Sequence, residues 1–185
     1  YSVMIKEISN QTDQYITHVF LQAGVGGMAS GAIAGIAKYF KRIPKIIIVE
    51  PETADCVLQS VEKGEIQKID IKKESIMGGM SCGEVSLVPW RILKNAVNIC
   101  VSISDDNIAK TIAMLEKKYF SNEPIIAGEC ATPGIISLIA ASENENIKNK
   151  LELSDESNIL LIGCEGDADE NLYKKLLNEG IKELI

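Results

Sequence analysis

The segment "KIIIVE", from Lys45 to Glu50, is apolar at so many consecutive positions that both faces of the strand it forms must be buried. Such a strand belongs in a parallel sheet that helices cover on each side. A second apolar strand, Thr17–Ala23, precedes it, and two more strand-to-helix steps occur in "NICVSISDDNIAKTIAMLEKKYF" and "SNILLIGCEGDADENLYKKLLNEG". These four units predict an α/β fold with three layers, a parallel sheet flanked by helices.

The predicted helices follow from the spacing of apolar and small residues. "SVMIKEISNQ" has a helical pattern from the first residues of the chain, and Gly27–Tyr39 forms a helix whose alanines allow close approach to the sheet. "PETADCVLQSVEKG" is predicted as a helix with Pro51 near its start and Gly64 after its end. A short apolar helix starts near Pro133, whereas "ASENENIKNK" is predicted as a polar surface segment.

Composition narrows the class of protein. The 185 residues suffice for one domain with a hydrophobic core. A formal net charge of −7 argues against a nucleic-acid partner, and no apolar run is long enough for a membrane span. The five cysteines lack a CxxC pair and the single histidine, His18, is expected to be structural, so no metal site is predicted. Reduced thiols predict a cytoplasmic protein, with pairing of Cys56 and Cys82 as the less favoured alternative.

A glycine-rich loop between the first strand and its helix carries the main functional signal. In "QAGVGGMA", residues Gly24, Val25, Gly26 and Gly27 lie at the start of a predicted helix. A helix start leaves backbone N–H groups without partners and carries the positive end of the helix dipole. Glycines lack the Cβ atoms that would keep an anion away, so the loop predicts a phosphate site. A tight turn without a ligand is the alternative.

Two phosphate-bearing cofactors fit this loop. "GVGGMA" satisfies the dinucleotide pattern GxGxxA, and Glu50 ends the next strand, where an acidic residue could bind a ribose. Pyridoxal phosphate (PLP) also fits, because its single phosphate needs a cradle of this kind. The glycine loop alone leaves both possibilities open.

Three further loops fall at the same edge of the predicted sheet, where ligands of parallel sheets bind. "SIMGGMSCGEVS" is glycine-rich and carries one carboxylate, Glu84, and "AGECATPG" carries Glu129. "IGCEGDAD" places Cys164 just past a buried strand. Each of these residues also has a structural explanation, as a solvated loop carboxylate or an inert core thiol.

Taken together, these stretches resemble one family. "THVFLQAGVGGMASG", "IIIVEPETADCVLQS", "IMGGMSCGE", "AGECATPG" and "CEGDADENLY" are similar, in this order, to the diaminopropionate ammonia-lyases. That family consists of PLP-dependent enzymes of the tryptophan-synthase β type, also called fold type II. The resemblance covers essentially the whole chain. Serine and threonine dehydratases share several of the same loops, so a dehydratase-like lyase remains an alternative.

The resemblance implies an activity and a set of site residues. The activity is the α,β-elimination of 2,3-diaminopropionate, a small amino acid, to pyruvate and ammonia, with PLP as the electron sink. Cys164 stands where the wider family has a hydroxyl or thiol that faces the pyridine nitrogen of the cofactor. The resemblance places Glu84 and Glu129 near the ring or the substrate. The cofactor phosphate would be bound by the glycine loop, residues Gly24, Val25, Gly26, Gly27 and Met28.

The family's Schiff-base lysine lies in an N-terminal segment that this chain does not resemble. Residues 1–185 are therefore expected to be the C-terminal, phosphate-binding portion of the large domain, inactive alone, of an enzyme that is a homodimer when complete. An NAD-dependent oxidoreductase using "GVGGMA" and Glu50 is a second alternative. A binding module that keeps the phosphate cradle without the chemistry is a third.

Overall fold

A computed structural model describes residues 1–185. No helix in it is both long and apolar enough to cross a bilayer. The chain forms four strands and eight α-helices: α1 (Ser2–Gln11), β1 (His18–Gln22), α2 (Gly27–Tyr39), β2 (Lys45–Pro51), α3 (Cys56–Lys63), α4 (Leu87–Ala96), β3 (Ile99–Ile103), α5 (Ile108–Glu116), α6 (Pro133–Glu143), α7 (Glu145–Lys150), β4 (Ile159–Leu161) and α8 (Glu170–Glu183).

The four strands form one sheet in the order β3-β2-β1-β4. All three neighbouring pairs are parallel, and Phe20 in the central strand β1 pairs with Ile47 of β2 on one side and Leu161 of β4 on the other. The parallel sheet predicted from the strand-to-helix repeats is therefore confirmed. Because all strands run in one direction, their carboxyl ends and the loops that follow them meet at one edge.

Two hydrophobic clusters cover the two faces of the sheet. Val19 and Leu21 of β1 point into a cluster with α1, α2, α3 and α4, whereas Phe20 points into a cluster with α5, α6 and α8. In β2, Ile48 belongs to the first of these clusters and Val49 to the second. The alternation follows from the two-residue period of a strand, and it gives the three layers that the apolar strands predicted.

The small residues of α2 allow close packing against two neighbouring elements, the sheet and α1. Ala29 and Ala32 are fully buried in the cluster that lies on the sheet. Gly35 lets α1 cross closely, because a Cβ there would lie 2.7 Å from the Cβ of Ile5. The predicted close approach to the sheet is present, and the contact with α1 comes in addition to it.

One predicted helix start differs from the structure, and two helices are present that the sequence did not predict. Pro51 is the last residue of β2, and helix α3 begins only at Cys56, although it ends before Gly64 as expected. The polar segment predicted as surface contains a short helix, α7, capped by the Asn144 side chain. Helix α4 had no counterpart in the sequence-based assignment; its Pro89 lies in the first turn, where the missing N–H has no helical acceptor and costs nothing.

Candidate functional site

A cavity of about 330 Å³ lies at the carboxyl ends of β1 and β4. The glycine loop forms one wall of this cavity, and Cys164 lies on another. No lysine lines it. The remaining lining residues are Tyr1, Gln22, Ala23, Gly79, Met80, Cys130 and Glu165. The structure thus brings together all four of the loops selected from the sequence.

The glycine loop presents a row of free backbone N–H groups. None of the N–H groups of residues 24 to 29 donates a hydrogen bond to another group of the chain. Gly26, the residue before α2, has a left-handed conformation with φ of 89°, and it provides no side chain to cap the helix. A Cβ on Gly27 would meet no atom within 4 Å. The loop therefore leaves both the donors and the space that a phosphate requires.

Gly24 is needed for a different reason, which is close packing. A Cβ at this position would lie 2.8 Å from Sγ of Cys82 and 2.9 Å from the carbonyl oxygen of Gly79. The thiol of Cys56 donates to the carbonyl oxygen of Gly24 over 3.6 Å. All five cysteines are free. Gly24 therefore fixes the loop containing Gly79 beside the row of N–H groups.

Cys164 lies beyond β4, exposed and facing the same cavity. Although the residue as a whole is exposed, partial burial of its sulfur, and after it the nearby charge of Glu165, raises the pKa of its thiol. The thiol is therefore protonated at neutral pH, and it donates to the carbonyl oxygen of Cys130 over 3.7 Å. A neutral thiol of this kind is a weak hydrogen-bonding partner.

The loop that carries Cys164 is joined to the turn before α6. Glu165 accepts a hydrogen bond from the backbone N–H of Gly128 through its carbonyl oxygen (3.0 Å) and from that of Cys130 through Oε2 (2.8 Å). Gln22 holds the start of the same loop, because its Nε2 donates to the carbonyl oxygen of Ile162 over 2.7 Å. Two sides of the cavity are thereby fixed to one another.

The two carboxylates predicted near the substrate have different positions. Glu129 is half-buried beside Glu165, and burial together with that neighbouring charge raises its pKa. Its side chain is not among those that line the cavity. Glu84 is exposed, forms an isolated β-bridge with Lys68, and does not line the cavity either. Glu129 thus lies beside Glu165, a residue that lines the cavity, whereas Glu84 is not part of the site.

Glu50 cannot bind a ribose, so the dinucleotide hypothesis is wrong on this point. The residue has no exposed surface. Its Oε1 accepts the backbone N–H of Val57 and its Oε2 that of Leu58, each at 2.8 Å. Burial raises its pKa to about 8, although both hydrogen bonds act in the opposite direction. Glu50 thus satisfies the first N–H groups of α3 and serves the fold.

Sequence reasoning selected the right segments but missed several of their residues. Gln22, Gly79, Cys130 and Glu165 all line the cavity, and each lies inside a segment already singled out. Nothing in the local pattern distinguishes them, because their roles depend on which loops meet in space. Tyr1 was not considered; its contact with Gly31 of α2 brings it to the cavity.

A larger groove, of about 600 Å³, lies at the opposite edge of the sheet. Its charged groups are Lys45 and Glu152, which pair with one another. No glycine loop or row of free N–H groups lines it. The chemistry expected of a phosphate site is therefore found in the smaller cavity.

The comparisons with known proteins agree with this geometry. The sequence model of the family described as "Pyridoxal-phosphate dependent enzyme" matches residues 1–165. The chain is 35% identical over 168 residues to diaminopropionate ammonia-lyase of Escherichia coli strain K12. The aligned region covers 89% of this chain and 42% of that protein. The chain is 34% identical over 132 residues to the chloroplastic biosynthetic threonine dehydratase of Arabidopsis thaliana, covering 69% of this chain and 21% of that protein.

Solved structures give the same result. The crystal structure of the E. coli ammonia-lyase in complex with D-serine matches 97% of this chain and 45% of its own chain, with a TM-score of 0.83 at 33% identity. The same enzyme in complex with an aminoacrylate–PLP azomethine reaction intermediate gives a TM-score of 0.81. The chain spans less than half the length of the E. coli enzyme. The match over residues 1–165, together with this fold type II architecture, shows that the chain belongs to the family of pyridoxal-phosphate dependent enzymes.

Proposed function

We propose that the complete protein carrying this chain is an ammonia-lyase that converts 2,3-diaminopropionate to pyruvate and ammonia. The observation that carries the proposal is the cavity lined both by residues 24 to 28, whose backbone N–H groups are free, and by Cys164. The identity to the E. coli ammonia-lyase, over 89% of this chain, supports that substrate class.

In this proposal the glycine loop holds the cofactor by its phosphate. The backbone N–H groups of Gly24, Val25, Gly26, Gly27 and Met28 donate to the phosphate oxygens, and the positive end of the α2 dipole adds to the attraction. The close packing of Gly24 on Gly79 and Cys82 keeps the loop in one position. Binding at this point orients the rest of the cofactor toward Cys164.

Cys164 is proposed to face the pyridine nitrogen. When bound, PLP supplies an electron sink for the electrons released at the α-carbon of the substrate. A neutral thiol does not hold a proton on the pyridine nitrogen as a carboxylate would. This arrangement suits elimination, which needs less stabilisation of the carbanion than racemisation or transamination.

The Schiff-base lysine is proposed to come from a part of the complete protein outside residues 1–185. This agrees with the absence of lysine from the cavity lining. Glu129, which is half-buried beside Glu165, is proposed to lie near the ring or the substrate. Glu84 remains a proposed substrate neighbour that would require contacts from outside this chain. We further propose that the complete protein is cytoplasmic and forms a homodimer. Sedimentation of the complete protein would test the dimer.

The direct test is an assay of the complete protein with PLP and three amino acids: 2,3-diaminopropionate, serine and threonine. We expect pyruvate and ammonia from 2,3-diaminopropionate, at a kcat/KM well above the values for the two hydroxy amino acids. A higher value for serine or threonine would favour the dehydratase alternative, which the identity to the Arabidopsis enzyme supports. Absence of turnover with all three, in a protein that binds PLP, would refute the lyase proposal.

A further inference from the structure

We propose that Glu165 is a positioning residue that holds Cys164 against the cofactor ring by clasping the turn before α6; this inference rests on the proposed function. The clasped turn is residues 128–131, which lead directly into α6. Glu165 binds it at two places, through its own carbonyl oxygen to the N–H of Gly128 and through Oε2 to the N–H of Cys130.

The turn is shaped to receive this side chain. A Cβ on Gly128 would lie 2.7 Å from Cγ of Glu165 and 2.8 Å from its Oε2. The backbone of Gly128 has φ of −73°, which any residue can adopt. The same Cβ would lie 2.5 Å from the carbonyl oxygen of Gly166. Glycine is therefore required at this position for the space that Glu165 and the backbone of Gly166 occupy, and not for its conformational freedom.

The clasp fixes the partner of Cys164. The N–H of Cys130 is held by Glu165, and the carbonyl oxygen of Cys130 accepts the thiol proton of Cys164 over 3.7 Å. Because Glu165 directly follows Cys164, the contacts close a small ring between the two loops. The thiol proton is thereby engaged within the chain, and the sulfur has one defined position at the cavity wall.

A metal site is the other explanation for this cluster. Glu129, Cys130 and Glu165 each place one potential ligand atom within 4.8 Å of the others. A thiol must lose its proton to bind a metal, and burial raises the pKa of Cys130 to about 12. Oε2 of Glu165 is already engaged by an N–H group. The geometry therefore favours a clasp.

The test compares Glu165→Ala with Glu165→Gln in the complete protein without cofactor. Both variants remove the negative charge that raises the pKa of Cys164, but only glutamine keeps an oxygen that accepts the N–H of Cys130. The ratio of their iodoacetamide labelling rates at Cys164 therefore isolates the hydrogen bond. We expect labelling about fivefold faster in the alanine variant, the factor that corresponds to one neutral hydrogen bond. Buried Cys56 should stay unlabelled in both if the fold is intact.

Two further measurements complete the test. Gly128→Ala should also give fast labelling, because its Cβ would displace both the carboxylate of Glu165 and the carbonyl oxygen of Gly166 in the same loop. PLP affinity should fall about tenfold in Glu165→Ala and stay close to the wild-type value in Glu165→Gln. Equal labelling rates in the alanine and glutamine variants would overturn the clasp. Failure of the wild-type protein to bind PLP would instead refute the proposed function, while the labelling ratio would still decide whether Glu165 positions Cys164.

Discussion

The side-chain carboxyl group of Glu50 accepts the backbone N–H of Val57 over 2.8 Å, from a position with no exposed surface. The acidic residue that ends β2 therefore belongs to the start of α3 and is closed to ligands. The same short pattern, a glycine loop followed by an acidic residue at the end of the next strand, occurs in dinucleotide sites. In this chain the acidic residue instead accepts two backbone N–H groups of α3.

Replacing Glu50 by alanine should lower the free energy of unfolding by about 3 kcal/mol, because two N–H groups at the start of α3 lose their acceptor. Urea unfolding measures the change. Glu52→Ala, at an exposed position two residues away, is the matched control and should have little effect. Equal stability of the two variants would contradict the assignment of Glu50 to the fold.

The single histidine should make stability depend on pH. Burial is the largest cause that lowers the pKa of His18 below its ordinary value of 6.5. The unfolded chain then binds a proton more readily than the folded chain, so the contribution of His18 is present above pH 6.5 and is lost as the pH falls toward the folded-state pKa.

Two measurements check the His18 prediction. An NMR titration of the only imidazole in the chain should give a pKa below 6.5. His18→Asn keeps a polar atom near the hydroxyl of Thr17, which lies 2.7 Å from Nδ1. As the pH falls, the free energy of unfolding of the wild type should decrease relative to that of the variant. A titration midpoint above 6.5 would show that His18 is not held neutral by burial.

Lys118 has a left-handed backbone, with φ of 65°, where helices commonly end in glycine. Tyr119 donates to the carbonyl oxygen of Met114 (2.9 Å) and Lys118 to that of Leu115 (3.3 Å), which is the pattern of a Schellman motif. Lys118→Gly should therefore raise the free energy of unfolding by about 0.5–1 kcal/mol. The exposed ion pair with Glu123 that is lost contributes little.

Lys117→Gly is the control for this prediction. Its φ of −85° is ordinary for any residue, so glycine there brings no relief and only adds flexibility to the unfolded chain. Thermal unfolding of the two variants, measured side by side, should move in opposite directions. Destabilisation by both substitutions would mean that the backbone at Lys118 stores no strain.

Particular elements show how much of the fold can be predicted from the sequence. The apolar run of β2 was predicted as Lys45–Glu50 and lies at Lys45–Pro51, because a strand buried on both faces leaves a continuous local signal. Helix α4 lacks such a signal: Leu87 and Val88 in its first turn are exposed and Pro89 follows them. Its buried residues, Trp90 and Leu93, face a core formed by distant segments.

The site shows the same limit. The free N–H groups of the glycine loop were predictable because they depend only on the local backbone. The contact of Glu165 was not, because its partner Cys130 lies 35 residues earlier in the chain and meets it only when β4 pairs with β1. For the same reason the sequence left open a ribose-binding role for Glu50: the pattern identified an acid at the end of a strand but could not show that α3 begins against it.

The central claim is that the glycine loop binds the cofactor phosphate, and Gly27→Asp is suited to test it. A Cβ at Gly27 meets no atom within 4 Å, and a carboxylate in the first turn stabilises a helix. The substitution therefore preserves α2 while it repels a phosphate. Asn107→Asp, which adds the same charge at the start of α5, is the matched control.

The decisive measurement is the affinity of the complete apoprotein for PLP and for pyridoxal, which lacks the phosphate, in wild type and in both variants. We predict that Gly27→Asp weakens PLP binding by about 100-fold, leaves pyridoxal binding nearly unchanged, and that Asn107→Asp changes neither. Equal losses for PLP and pyridoxal, or no loss of PLP binding, would contradict a phosphate site at this loop.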